Sequence, residues 1–214
     1  ASRSFSVQGP ALQCSENGNL LSVQSSRVAF VFDKSTGLVT SYKVKGTEYF
    51  HEGFGIQPNF WRAPNDNDYG SQMPKRLQIW KQSSKNFNVV DASLAMDGKD
   101  AVLKVSYLLA AGNLYIATYR IHPSGVVKAN YTFTSTEMEA AKTEASEATL
   151  MATFTPGNEA IRKESSKLVV PRIGVRFRLP AEMEQVTYFG RGPEENYCDR
   201  NNGTLVGEYQ ATAE

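Results

Sequence analysis

The chain has 214 residues, with 23 lysines and arginines against 22 acidic residues, a formal net charge of +1 and 41% hydrophobic content. A balance this even makes no electrostatic case for nucleic acid or an anionic membrane, and the length suits one large β domain or two smaller units and is enough to bury a proper core. No apolar run approaches the length of a spanning helix, and the N-terminus carries no signal-peptide pattern, so neither compartment nor anchoring is read from it.

In chain order, residues 28–32 and 38–44 are apolar and β-branched runs flanking Asp33-Lys34-Ser35-Thr36-Gly37, which predicts a hairpin with Gly37 where a positive φ is convenient. The next dense segment is Phe60-Trp61-Arg62-Ala63-Pro64-Asn65-Asp66-Asn67-Asp68-Tyr69-Gly70. Pro64 cannot donate to a sheet ladder, and Asn and Asp side chains compete with regular hydrogen bonding, so an irregular loop leaving a strand is expected. Its donors, acceptors and flat aromatic surface suit a ligand with many hydroxyls, namely a sugar; the alternative is a surface turn whose Asx side chains bond their own backbone.

Helical signal is thin and limited to residues 73–81 and the Glu/Ala-rich stretch 136–148, which reads equally as a solvated excursion. Period-two alternation dominates the rest. Leu103, Val105, Tyr107 and Leu109 form one apolar set, then Tyr115, Ala117, Tyr119 and Ile121, then Val127, Ala129, Tyr131 and Phe133. Ile173, Val175, Phe177 and Leu179 alternate with Arg172, Arg176 and Arg178, whose guanidinium groups form a stripe facing either solvent or a ligand. Asp97-Gly98, Gly112-Asn113 and Pro123-Ser124-Gly125 supply turns. Strands joined by short turns make an all-β antiparallel meander, and with no repeat or linker the expectation is a single β-sandwich domain over residues 1–214.

A second polar segment, Tyr188-Phe189-Gly190-Arg191-Gly192-Pro193-Glu194-Glu195-Asn196-Tyr197-Cys198-Asp199-Arg200, reads as a strand end turning into a loop. Its Gly-x-Gly is no dinucleotide fingerprint, because the third glycine and the βαβ unit are missing. Cys14 and Cys198 could bridge or be free; free is favoured, since two distant cysteines make no disulfide framework and neither sits in a CxxC.

The two polar segments carry a resemblance. Arg62, Ala63, Pro64, Asp66, Asn67 and Asp68 match R-A-P-x-D-N-D, and Gly190, Gly192, Pro193, Glu195, Asn196, Tyr197, Asp199 and Arg200 match G-x-G-P-x-E-N-Y-x-D-R. With Pro171-Arg172-Ile173-Gly174 between them, the whole chain resembles the C-terminal small-chain domain of large multidomain β-galactosidases, glycoside hydrolases of family 2. The resemblance implies a galactose-mutarotase-like supersandwich that packs by the catalytic barrel of a parent enzyme hydrolysing terminal β-galactosides. It also implies a module continuing beyond Glu214, so that the sandwich here is incomplete at its C-terminus. Trp61, Arg62, Asn65, Asp66, Asn67 and Asp68 are the substrate-proximal loop that it points to, with Trp61 a sugar platform or a core residue. The residues of the 190–200 motif read mainly as a structural brace, with direct ligand contact the alternative.

By the same resemblance this chain holds no catalytic residue and no cofactor: the family's two catalytic glutamates, and the Mg and Na its members often use, belong to the barrel. The inventory does not exclude a carboxyl pair drawn from Asp66, Asp68, Glu194 and Glu195, which a retaining glycosidase needs roughly 5–5.5 Å apart. An EF-hand reading of the Asn/Asp loop fails, since counting from Asn65 puts Tyr69 fifth and Arg76 twelfth. An epimerase would need His51 or His122 in the pocket as its acid; His122 reads as a turn residue and His51 lies beside Glu52 near a strand end. Two further readings are a carbohydrate-binding module without catalysis and a purely structural β sandwich.

Overall fold

A computed structural model describes residues 9–110, 112–134, 169–194 and 202–212. The chain separates into two compact units, Ala1–Arg178 and Leu179–Glu214, each taken by itself below.

In the first unit, β1 (Gln13–Asn17), β2 (Leu20–Gln24), β3 (Val28–Asp33), β4 (Leu38–Val44) and β5 (Thr47–Glu48) form one antiparallel sheet in sequence order. The expected hairpin is the β3–β4 turn, with Gly37 at φ +70 and its amide bonded to the Asp33 carbonyl at 2.8 Å. A β-carbon on Gly37 would stand 2.9 Å from the Phe87 ring, so the turn needs both the left-handed backbone and the missing side chain. A register shift after Val31 sets Phe32 opposite Val39, and both are fully buried. The extra residue in β4 turns its inward face back onto the core, as a bulge does.

After a 3-10 turn, His51–Gly53, come β6 (Gln57–Asn59) and three short helices, α1 (Asp66–Gly70), α2 (Met73–Arg76) and α3 (Gln78–Ser83). The helix expected over 73–81 is thus present as two pieces, broken at Leu77, whose φ of −107 and ψ of 18 leave the α region. The 136–148 stretch lies outside the described residues. β7 (Phe87–Asp97), β8 (Asp100–Leu109), β9 (Leu114–Ile121) and β10 (Val127–Thr134) build a second antiparallel sheet, in the order β10-β9-β8-β7. Gly98, Gly112 and Gly125 occupy its turns with positive φ, as the turn signals predict.

The two sheets pack face to face. The alternating apolar sets of β8 and β9 are buried, and Phe30 of β3 meets Tyr119 of β9 at 5.8 Å between ring centroids. At one end, Arg27 Nε donates to the Ser124 carbonyl at 2.9 Å and the Tyr42 hydroxyl donates to the Gly125 carbonyl. Burial of about fifteen apolar side chains from the strands of the two sheets is what holds a sandwich together.

One expectation is corrected here. Of the 172–179 alternation only β11 (Gly174–Arg176) is a strand, paired with the three-residue β6. Ile173 and Phe177 remain 55% and 48% exposed, because a partner this short provides no sheet face to bury them. The arginine stripe does form locally: Arg176 and Arg178, on one side, lie 5.7 and 4.3 Å from the Phe54 ring centroid.

The second unit is a hairpin of β12 (Gln185–Gly192) and β13 (Leu205–Thr212). Tyr188 and Tyr209 are directly opposed, with ring centroids 5.5 Å apart, a cross-strand aromatic pair of the kind that stabilises a ladder. Arg191 Nη1 donates to the Thr204 carbonyl at 2.9 Å.

Candidate functional site

The segment 60–70 leaves β6 under firm anchorage. Phe60 is fully buried, its amide donates to Ser84 Oγ at 2.7 Å, and its ring meets Tyr115 edge-on at 5.3 Å. Asn59 Nδ2 donates to the Trp61 carbonyl at 3.1 Å, turning the chain out of the strand. Trp61 is half-buried against the core, and Lys81 Nζ lies 5.9 Å from its ring centroid. Trp61 is therefore largely a packing residue, with part of its indole at the surface.

Beyond Pro64 the expected irregular loop gives way to one turn of helix. Asn65 Oδ1 accepts from the Asp68 amide at 3.0 Å, while Asp68 Oδ2 accepts from the Asn65 amide at 2.9 Å. This is a reciprocal capping box, with Asn and Asp in the roles more often taken by Ser/Thr and Glu. The same Asp68 carboxylate receives Arg62, Nη2 reaching Oδ1 at 2.8 Å and Nη1 contacting Oδ2, and Arg62 Nη1 also donates to the Ala63 carbonyl at 3.3 Å. A planar guanidinium fork on a carboxylate is a directional contact. The Arg62 hydrogen bond, then the Asn65 amide, hold the Asp68 carboxyl below the usual carboxylate range. Ser71 Oγ closes the turn on the Asp68 carbonyl at 3.1 Å, and Arg76 Nε closes on the Ser71 carbonyl at 3.0 Å.

The six residues of the loop thus divide. Arg62, Asn65 and Asp68 are brought together as a brace, while Asp66 and Asn67 point outward with no part in it. Beside them Tyr69 is 63% exposed, the most open aromatic of the loop and one that sequence reasoning left out. Sequence reasoning also missed the floor of this region. A cleft of about 320 Å³ borders Asn59, Trp61, Arg62, Lys81, Lys85 and Arg176. The closeness of Lys81 and Lys85 in sequence was a visible signal, but nothing local could show that α3 and the turn after it would bring them to the root of the Trp61 loop.

Asp68, committed to Arg62 and kept ionised, is unsuited to serve as a general acid. Among the described residues no three His, Cys, Asp or Glu side chains converge as metal ligands, and the oxygens of Asp68 are already taken. His51 sits in the 3-10 turn 3.6 Å from Glu52, with both side chains exposed. His122 Nδ1 accepts from the Ser124 amide at 3.0 Å and lies 2.7 Å from Ser124 Oγ, which makes it a turn residue. Cys14 is a free thiol whose Sγ donates to Met96 Sδ at 3.4 Å.

Of the second motif, Gly190, Gly192 and Pro193 lie at the end of β12 and just beyond it; Glu195, Asn196, Tyr197, Asp199 and Arg200, with Cys198, fall outside the described residues. Gly192 has a steric reason. A β-carbon there would stand 2.5 Å from the Tyr188 hydroxyl and 2.9 Å from Tyr209 Cδ2.

Comparison with known proteins matches residues 24–214 to a family described as Beta galactosidase small chain. A β-galactosidase of Priestia megaterium is 28% identical over 199 residues, covering 92% of this chain and 16% of its own length. One of Lactococcus lactis is 30% identical over 91% of this chain and 18% of its own length. A β-galactosidase small subunit of Latilactobacillus sakei is 26% identical over 86% of this chain and 55% of that subunit. The chain spans about a sixth of the length of the curated β-galactosidases it matches first.

Proposed function

Because this chain belongs to the β-galactosidase small-chain family, we propose that it serves as an accessory domain of a β-galactosidase, an enzyme hydrolysing terminal non-reducing β-D-galactosides. In this reading both units belong to one galactose-mutarotase-like domain of a family 2 glycoside hydrolase. The nucleophile, the acid/base and any Mg or Na ion reside in a catalytic barrel on another part of the protein or on a partner chain. The small-subunit relative from L. sakei supports the partner-chain version; the long relatives support a single polypeptide.

The observation that carries the reading is the braced turn. Arg62, Asn65 and Asp68 spend hydrogen bonds on each other, and so fix the backbone from which Asp66, Asn67 and Tyr69 project outward. Polar side chains carried on a backbone already ordered suit recognition of sugar hydroxyls, because the segment's backbone freedom does not have to be lost on binding. The loop would border the sugar pocket, orient the galactosyl ring and exclude water, while proton transfers take place elsewhere. That Asp68 is already neutralised by Arg62 agrees with a positioning role.

The test is hydrolysis of an aryl β-galactoside. The residues of this chain alone are expected to release no chromophore, and the full-length protein, or the chain with its catalytic partner, is expected to release it. Asp66→Ala or Asn67→Ala in the full protein should lower kcat/KM by about tenfold each, the scale of one lost polar contact in the transition state. Turnover by the chain alone would overturn the proposal.

A further inference from the structure

The cleft beside Trp61 has a one-sided charge. Arg62, Lys81, Lys85 and Arg176 line it, and no carboxylate among the described residues does. Arg62 is answered by Asp68, but among the described residues no carboxylate forms an ion pair with Lys81, Lys85 or Arg176. Lys81 lies in α3 and Lys85 two residues past its end, and both border the cleft. The cations are also partly oriented. Lys81 lies over the Trp61 ring at 5.9 Å, and Arg176 Nη2 reaches the Ser84 carbonyl at 3.3 Å and Gln57 Oε1 at 3.4 Å. Concave walls focus such a field on whatever occupies the cleft. About 320 Å³ is at the small end of ligand sites, enough for one sugar ring.

We propose that this cleft is a subsite for the oxyanion of an acidic galactoside, either a carboxylate at C6 or a sulfate ester. Both groups accept several charge-assisted hydrogen bonds from converging ammonium and guanidinium donors. The proposal rests on the galactosidase reading for the identity of the sugar, and on the cleft alone for the charge. Neutral galactose gains nothing from these three cations, which no described carboxylate pairs; a uronate or a sulfated sugar does.

Calorimetry on the full-length protein compares galacturonate, galactose 6-sulfate, galactose and inorganic sulfate, in the wild type, in Lys81→Gln/Lys85→Gln and in Lys75→Gln as a distant control on α2. Thermal unfolding verifies that the double variant is folded. At low salt the two acidic sugars are expected to bind roughly thirtyfold tighter than galactose, since each of the three exposed cations contributes roughly threefold. That preference is expected to fall to about threefold in the double variant, where Arg176 remains, to persist in the control and to shrink as salt rises. Equal affinity for acidic and neutral sugars, or a preference undiminished by the double substitution, overturns the proposal. So does sulfate binding as tightly as galactose 6-sulfate, because the cleft would then be an anion patch without sugar recognition. Failure of the galactosidase reading shows separately, as absent hydrolysis of a neutral aryl galactoside by the wild type.

Discussion

Arg62 and Asp68, six residues apart, meet as a two-pronged ion pair while Asp68 also caps the helix turn that begins at Asn65. One carboxylate thus fastens both the entry and the first turn of the loop, so its loss is expected to release the loop while leaving the sandwich intact. In Asp68→Ala the amides of Asn65 and Asp68 should exchange with solvent at least tenfold faster, with β8 and β9 unchanged; unaltered exchange at Asn65 would falsify the brace.

The same carboxylate sets a pH dependence. Its folded pKa lies below the unfolded value of about 4, so its contribution is complete above that value and is lost as pH falls through the folded one. Order in the 62–71 segment, read from amide exchange corrected for its intrinsic rate, should be flat from pH 7 to about 5 and decline below about 4. A decline centred near pH 6 would point to a different group.

Glu48 is a second acid-sensitive tie. Burial pushes its carboxyl up, but the Ser41 hydroxyl and the amides of Tyr42, Phe50 and Tyr49 outweigh that and leave it below its ordinary value. Glu48→Gln keeps the size and loses the charge, and should destabilise the fold at pH 7 by about 1–2 kcal/mol, allowing for partial solvent access. Its stabilisation is present above the unfolded pKa and lost on acidification, so mutant and wild type should converge in urea denaturation towards pH 3.

Two neighbouring core tyrosines should respond in opposite directions. The Tyr107 hydroxyl donates to the Gly37 carbonyl at 3.1 Å, whereas the Tyr115 hydroxyl is buried without a partner among the described residues. Tyr107→Phe strands a carbonyl and should cost about 1 kcal/mol; Tyr115→Phe removes an unmet donor and should be neutral or stabilising by up to about 1 kcal/mol. Thermal unfolding of the two single variants decides, and equal losses would refute the distinction.

The paired glycines of the second motif should separate likewise. A β-carbon at Gly190 meets Tyr188 Cδ2 at an ordinary 3.8 Å, but one at Gly192 collides with both tyrosine side chains. Gly192→Ala should therefore loosen the β12–β13 hairpin by about 1–2 kcal/mol and Gly190→Ala by less than half of that. Cross-strand contacts between Tyr188 and Tyr209 in NMR spectra report the difference.

Where strands bury one face, the inward set of side chains was legible from the chain. Leu103 to Leu109 and Tyr115 to Ile121 alternate in sequence because they alternate between core and surface in space. The same pattern at Ile173 to Leu179 misled, since period two states that a strand has two faces but not that anything covers either. The helix turn in the 60–70 loop was obscured for a related reason. Asn65 and Asp68 are individually turn-formers, and only their reciprocal bonding makes a capping box.

Residue types and order alone determined the antiparallel class, the turn glycines and the two family motifs, because each depends on chemistry within a few positions. Tertiary structure decided which polar residues of the loop are spent on one another and which are offered outward. It also decided that Lys81, Lys85 and Arg176, distant in sequence, share a wall with Trp61. Charge neutralisation and convergence act over ångströms in space, and no local spacing encodes them across a hundred residues.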